Sequence, residues 1–291
     1  MERVALDLGI IQIYWYSIFI FLGILVASII IYNESSRKGI DKDFVVNLVF
    51  NTIIFGIIGA RLYYVLFNLD YYKSNLIEIL EIWNGGLAIH GGIIFGIISL
   101  IYNCKKKNVS ILKMLDIVVV GVIIGQAIGR WGNFFNSEAY GAVTTLEHLQ
   151  NSHIPEFVIK GMYILGEYRT PTFLYESILC IIGFIALIFI RRVKYIKIGQ
   201  ISGLYFMYYS VIRFIIEGTR ADSLMLGSIK AARLASIILF IVGLIMFLYH
   251  SRFKNEQKFE NIYNDERKDE RFIQNNGVTE EEQRPLFIKQ N

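Results

Sequence analysis

Cysteine and proline are almost missing from this chain: two of the one and three of the other in 291 residues. That excludes a disulfide-stapled scaffold and a proline-rich disordered protein. Cys104 and Cys180 lie far apart, so no paired CxxC zinc site can form from them either. Charge is also scarce. Only 19% of residues are Asp, Glu, Lys or Arg, against ~25% in an average soluble domain. The net charge of +4 is small, and no arginine-rich stripe interleaves with aromatics, so nucleic acid is not expected as a partner. What is abundant is apolar side chain, at 54%. The chain reads as an all-α polytopic membrane protein.

Windows of about 20 mostly apolar residues, enough to cross ~30 Å of hydrocarbon, fall at 12–32, 44–67, 86–103, 114–131, 172–190, 199–217 and 231–249. This predicts seven spans. The first is too long for a signal-peptide core and no small-residue cleavage site follows it, so it is expected to stay in the mature chain. Basic clusters follow alternate spans: Arg37, Lys38 and Lys42; Lys105, Lys106, Lys107 and Lys113; Arg191, Arg192, Lys194 and Lys197; Arg252 and Lys254. The positive-inside rule then predicts an N-terminus outside and a C-terminus in the cytoplasm. Residues 1–250 are expected to form the transmembrane unit. A polar stretch at about 133–171 is too long for a simple connector and predicts a small external head. The charged tail, 251–291, is expected to be partly helical or disordered and cytoplasmic.

Ionisable side chains inside a span cost ~2.5–3.5 kcal/mol each, so they are where function is sought first. In LAIHGGIIFG, His90 precedes Gly91 and Gly92. A neutral imidazole suits proton transfer, and paired glycines admit a close neighbour, although a helix cap would use the same histidine. In GRWGNFFNSEAYG, Arg130 and Asn133 share a helix face, with Asn136, Glu138 and Gly141 following. A guanidinium there could grip a phosphate bidentately, or snorkel to the interface. In YSVIRFIIEGTR, Tyr209, Arg213, Glu217 and Arg220 recur every three or four residues, opposite Val211, Ile212, Phe214 and Ile215. Such a stripe must face a cavity or other helices, and two arginines favour an anion, although the same residues could simply staple helices together. Weaker additions are Tyr16 in WYS, Arg61 in IGARLYYVLF, and Tyr175 and Glu176 in TPTFLYES.

Several intramembrane chemistries are excluded by what is missing. There is no G-x-S for a serine nucleophile, no H-E-x-x-H among the four histidines, and no Walker-type loop or dinucleotide fingerprint. Neither cysteine has the electropositive setting of a reactive thiol. No metal and no cofactor are expected. A transporter or channel for an anionic substrate would also line a cavity with Arg and Glu, and stands as the alternative.

The block GRWGNFFNSEAYG resembles the signature of the prolipoprotein diacylglyceryl transferase family. WYS, ARLYYVLF, WNGGLAIHGG, TPTFLYES and YSVIRFIIEGTR follow that family's order, so the resemblance runs to about residue 250. It implies a transferase of the bacterial cytoplasmic (inner) membrane, working towards the outer leaflet. It would move the diacylglyceryl group of phosphatidylglycerol to the lipobox cysteine thiol of a prolipoprotein, forming a thioether and releasing glycerol phosphate. Its partners would be phosphatidylglycerol, prolipoprotein signal peptides and membrane lipid. The resemblance assigns catalysis to His90, Arg130, Tyr209 and Arg213. It assigns substrate contacts to Tyr16, Gly91, Arg130, Asn133, Asn136, Glu138, Gly141, Glu217 and Arg220. One departure is Thr170-Pro171, where some relatives have His-Pro, so no second histidine is available there.

Overall fold

The computed structural model describes residues 3–7, 9, 12–221, 225–226 and 229–252. The charged tail expected at 251–291 therefore lies outside the described residues, apart from the last two residues of the final helix. In chain order the elements are β1 (Val4–Asp7), β2 (Gln12–Tyr14), α1 (Trp15–Arg37), α2 (Lys42–Phe67) and α3 (Leu69–Tyr72), then two short 3-10 turns at Leu76–Leu80 and Ile82–Asn84. α4 (Ile89–Lys106) and α5 (Ile111–Asn136) come next, followed by α6 (Leu146–Asn151), α7 (Glu156–Gly161), β3 (Tyr163–Ile164) and β4 (Glu167–Tyr168). The chain continues through α8 (Thr172–Ile190), α9 (Gln200–Thr219), β5 (Met225–Leu226), β6 (Ile229–Lys230) and α10 (Ala231–Arg252). Among the described residues the strands pair as the three hairpins β1–β2, β3–β4 and β5–β6.

Each window expected to span coincides with a long helix. Five of these helices are long and apolar enough to cross a membrane: α1, α2, α5, α8 and, over Ala231–Tyr249, α10. α4 and α9 are not among them. The first is 18 residues long with His90, Asn103 and two lysines, and the second carries the polar stripe. Helix starts follow local chemistry. Asp41 caps α2 by accepting from the Phe44 N–H at 2.8 Å, and Thr145 caps α6 through the His148 N–H at 3.1 Å. α5 runs five residues beyond its predicted end and stops at Ser137, which is left-handed at φ +55°.

α1 packs on α5, α2 on α4, α9 on α10, and α5 also on α8. In lipid, close backbone approach does the work that hydrophobic burial does in water. A Cβ on Gly23 would sit 3.0 Å from the Gly125 carbonyl oxygen, and one on Gly203 would sit 2.8 Å from that of Gly243. The main buried cluster centres on α5, with Met114, Ile117, Val120 and Ile123 meeting Leu48, Cys180 and Ile201. A second cluster lies in the segment between α5 and α8. There Phe134 stacks on Phe173 at 4.7 Å, over Leu149, Val158 and Met162. The stretch predicted as a polar head thus has an apolar centre of its own, reaching back into the last turn of α5.

Candidate active site

Three helices, α5, α8 and α9, deliver the polar residues to one place. Arg130, near the end of α5, points its guanidinium at Glu176, in the first two turns of α8, with Nη2 to Oε1 at 2.6 Å. The Tyr209 hydroxyl on α9 lies 3.2 Å from the same Nη2 and donates to Glu176 Oε1 at 3.3 Å. Arg130 Nη1 donates to Asn133 Oδ1 at 3.3 Å. From Glu176 the chain of charges passes to Arg213 at 3.6 Å, then to Glu217 at 2.7 Å and Arg220 at 3.7 Å. The result is an alternating ladder, Arg130–Glu176–Arg213–Glu217–Arg220. Both carboxylate side chains are 2% exposed.

Buried ion pairs of this kind are weak evidence for stability, because desolvation offsets much of the attraction. Among the described residues the ladder holds three guanidiniums and two carboxylates. Arg130 Nε and Arg213 Nη1 are buried with no hydrogen-bond partner among the described residues. Such donors suit an anionic oxygen.

Beside Arg130 opens a cavity of about 380 Å³. Its polar end is Arg130, Asn133, Tyr209 and Tyr16, and it continues as an apolar slot between α1 and α5 past Ile20, Ile24 and Val122. Gly125 and Gly129 leave room there, since a Cβ on Gly129 would meet only Ile20 Cδ1 at 3.7 Å. A cationic mouth over an apolar slot matches the two ends of an anionic lipid.

The α9 stripe is turned as its spacing predicts, with Glu217 buried and Val211, Phe214 and Ile215 facing outwards. Ile212, expected on the outer face, is instead 4% exposed, because it sits at the edge of the stripe where neighbouring helices close over it. Gly141 pairs backbone to backbone with Arg220, and a Cβ there would come 2.8 Å from Thr170 Cβ. Glu138 is exposed and accepts from Asn136 Nδ2 at 3.5 Å. Gly91 lies between helix backbones, where a Cβ would meet the Gly59 oxygen at 2.1 Å.

His90 is not in the cavity wall, although its neighbour Ile89 is. Its exposed ring lies 5.9 Å from that of Tyr63. Glu176 is the residue whose weight the sequence understates. Its only local signal is one carboxylate in the most apolar stretch of the chain, and its partners are 33 and 46 residues away.

Five helices long and apolar enough to cross a membrane, packed with a buried ladder of arginines and carboxylates, mark a membrane protein with a charged interior site. The prolipoprotein diacylglyceryl transferase family model matches residues 3–249, and the chain belongs to that family. It is 48% identical over 250 residues to the phosphatidylglycerol–prolipoprotein diacylglyceryl transferase of Staphylococcus haemolyticus, covering 86% of this chain and 88% of that one. It is 46% identical over 255 residues to that of Staphylococcus carnosus, covering 87% and 92%. The chain is a transferase by this kinship.

Proposed function

We propose that the chain transfers the diacylglyceryl group of phosphatidylglycerol to the thiol of a prolipoprotein lipobox cysteine. The observation that carries this reading is Arg130 at the polar end of an apolar slot, with its buried Nε lacking a hydrogen-bond partner among the described residues. The acyl chains would occupy the slot, and Arg130 and Arg213 would hold the phosphate. The thiol sulfur attacks the glyceryl carbon bonded to the phosphate oxygen, the C–O bond breaks, and a thioether and glycerol phosphate result. As that bond breaks the phosphate gains a negative charge, which guanidiniums in a water-poor site stabilise. Glu176 would keep both arginines in place, while Tyr209, Asn133 and Tyr16 orient the headgroup. Glu138, Gly141, Glu217 and Arg220 would shape the site's outer rim, and Asn136 would position Glu138.

A free thiol of pKa ~8.5 is only a few per cent thiolate at neutral pH, so a base helps. His90 is the proposed base. Its support is an imidazole without a hydrogen-bond partner among the described residues, one position from the cavity wall. We place the N-terminus outside, all seven long helices across the bacterial cytoplasmic membrane, and the site towards the outer leaflet. Residues 1–250 would form the catalytic body, with the charged tail in the cytoplasm.

The test is purified protein in detergent with phosphatidylglycerol and a lipobox peptide. Thioether formation there, with no compartment to transport across, separates transfer from anion transport. His90→Ala should slow single-turnover transfer by about 10²–10⁴-fold. Its rate should climb towards alkaline pH as thiolate forms unaided. A deficit equal at every pH would make His90 an orienting residue instead.

A further inference from the structure

We infer that Arg61, at a step of α2 that the site does not include, is a positioning residue for transfer: it clamps the loop that leads into the first turn of α4, beside the reaction cavity. The inference rests on the transferase reading above. Arg61 is only 6% exposed, yet no carboxylate pairs with it among the described residues. Its guanidinium donates instead to backbone carbonyls: Nε to Ile79 at 2.9 Å, Nη1 to Gly85 at 2.7 Å and Gly86 at 3.0 Å, and Nη2 to Glu78. The guanidinium carbon also stands 5.3 Å from the Tyr72 ring centroid. A buried charge spent wholly on loop carbonyls fixes where that loop runs.

The neighbours of Arg61 complete the grip. The Ala60 carbonyl accepts from the Ala88 N–H at 3.0 Å. Gly59 meets Gly91 so closely that a Cβ on Gly91 would lie 2.1 Å from the Gly59 oxygen. Gly86 is left-handed at φ +71°, and a Cβ on it would strike Arg61 Nη1 at 2.5 Å. Three consecutive α2 residues, Gly59, Ala60 and Arg61, therefore hold residues 91, 88 and 85–86. Ile89, in the cavity wall, and His90 lie inside this span.

Few apolar side chains of the connecting segment are buried among the described residues. Of its side chains, Tyr72 is buried, while Leu76, Ile77, Leu80 and Trp83 are 66–80% exposed. A polar cavity of about 500 Å³ separates it from α2, lined by Tyr64, Asn68, Tyr71 and Glu78 as well as Arg61. The guanidinium does for this segment what an apolar core does elsewhere. Lysine keeps the charge but cannot fork to carbonyls in several directions at once.

The experiment measures kcat and KM for phosphatidylglycerol with the full chain in detergent, for Arg61→Lys, His90→Ala and the double variant. Arg61→Lys should lose about tenfold or more in kcat with KM within about twofold. The double variant should be no slower than His90→Ala alone, because a displaced first turn matters only while the imidazole is there to be displaced. Guanidinium ion added to Arg61→Ala should restore part of kcat. Unchanged kcat, a loss confined to KM, or multiplicative losses in the double variant would each overturn the clamp. So would an Arg61→Ala protein that guanidinium cannot restore alongside an inactive Arg61→Lys, which would make Arg61 a folding requirement. His90→Ala at full rate would sink the base assignment alone, and the kcat and guanidinium results would then decide the clamp.

Discussion

The two ends of α9 both rest on buried carboxylates, and they use them in opposite ways. At its start, Asp116 reaches across from α5 and accepts from the Gly199 N–H at 2.6 Å, the Ser202 N–H at 2.8 Å and the Ser202 hydroxyl at 2.5 Å. α9 has no capping side chain of its own, so a neighbouring helix supplies the cap. Each of these partners is a neutral donor fixed by the fold. At the other end, Glu176 and Glu217 each lie between arginines, and Arg130, whose buried Nε has no hydrogen-bond partner among the described residues, lines a cavity. A carboxylate met by two backbone N–H groups and a hydroxyl holds a helix start. Carboxylates strung between guanidiniums tie three helices, α5, α8 and α9, into one charged ladder.

That contrast breaks most visibly at the arginines. Arg130→Ala or Arg213→Ala should lower transfer by about 10²–10³-fold, the usual cost of removing a donor aimed at developing charge. Single-turnover rates measure it, and a loss below about tenfold would put the ladder outside the chemistry. Arg130→Lys and Arg213→Lys sharpen the point. Each keeps its charge but should still lose about tenfold, or roughly 1.4 kcal/mol, since a point charge cannot replace a fork. Full activity in both would mean that bulk charge suffices.

At the opposite end, Asp116→Asn should cost about 1–3 kcal/mol of stability through its weakened hydrogen bonds. Thermal melting in detergent should show it, while transfer per folded molecule stays near wild type. A variant with an unchanged melting point and impaired transfer would dissolve the comparison. The smallest effect is expected in the slot. Gly129→Ala adds a methyl in ordinary contact with Ile20 and should leave transfer within about twofold.

Much of this was legible in the chain before its fold was known. Seven long helices fall where the apolar windows predict them, and five of the seven are long and apolar enough to cross a membrane. The α9 stripe shows because Tyr209, Arg213, Glu217 and Arg220 are one helix turn apart, a period that local sequence carries directly. Glu176, Asp116 and Arg61 were not legible in the same way. Each acts on partners in a different helix or loop, and nothing near Asp116 in sequence reveals that Gly199 and Ser202, 83 and 86 residues on, will need an acceptor. His90 was singled out for its glycine neighbours. The structure gives those glycines a packing role between α2 and α4, and leaves the imidazole one residue away from the cavity wall.

The last turns of α5 serve two masters. Arg130 and Asn133 turn to the ladder, while Trp131 and Phe134, on the same stretch of helix, turn into the aromatic cluster with Phe157 and Phe173. The indole of Trp131 sits 5.4 Å from the Phe173 ring and 6.3 Å from that of Phe157. Trp131, one residue from Arg130, is thereby a natural fluorophore held next to the ladder's first arginine. Ligand binding should raise the temperature at which that emission changes, in proportion to the logarithm of ligand concentration over its dissociation constant. The protein carries its own optical titration, with no label to attach.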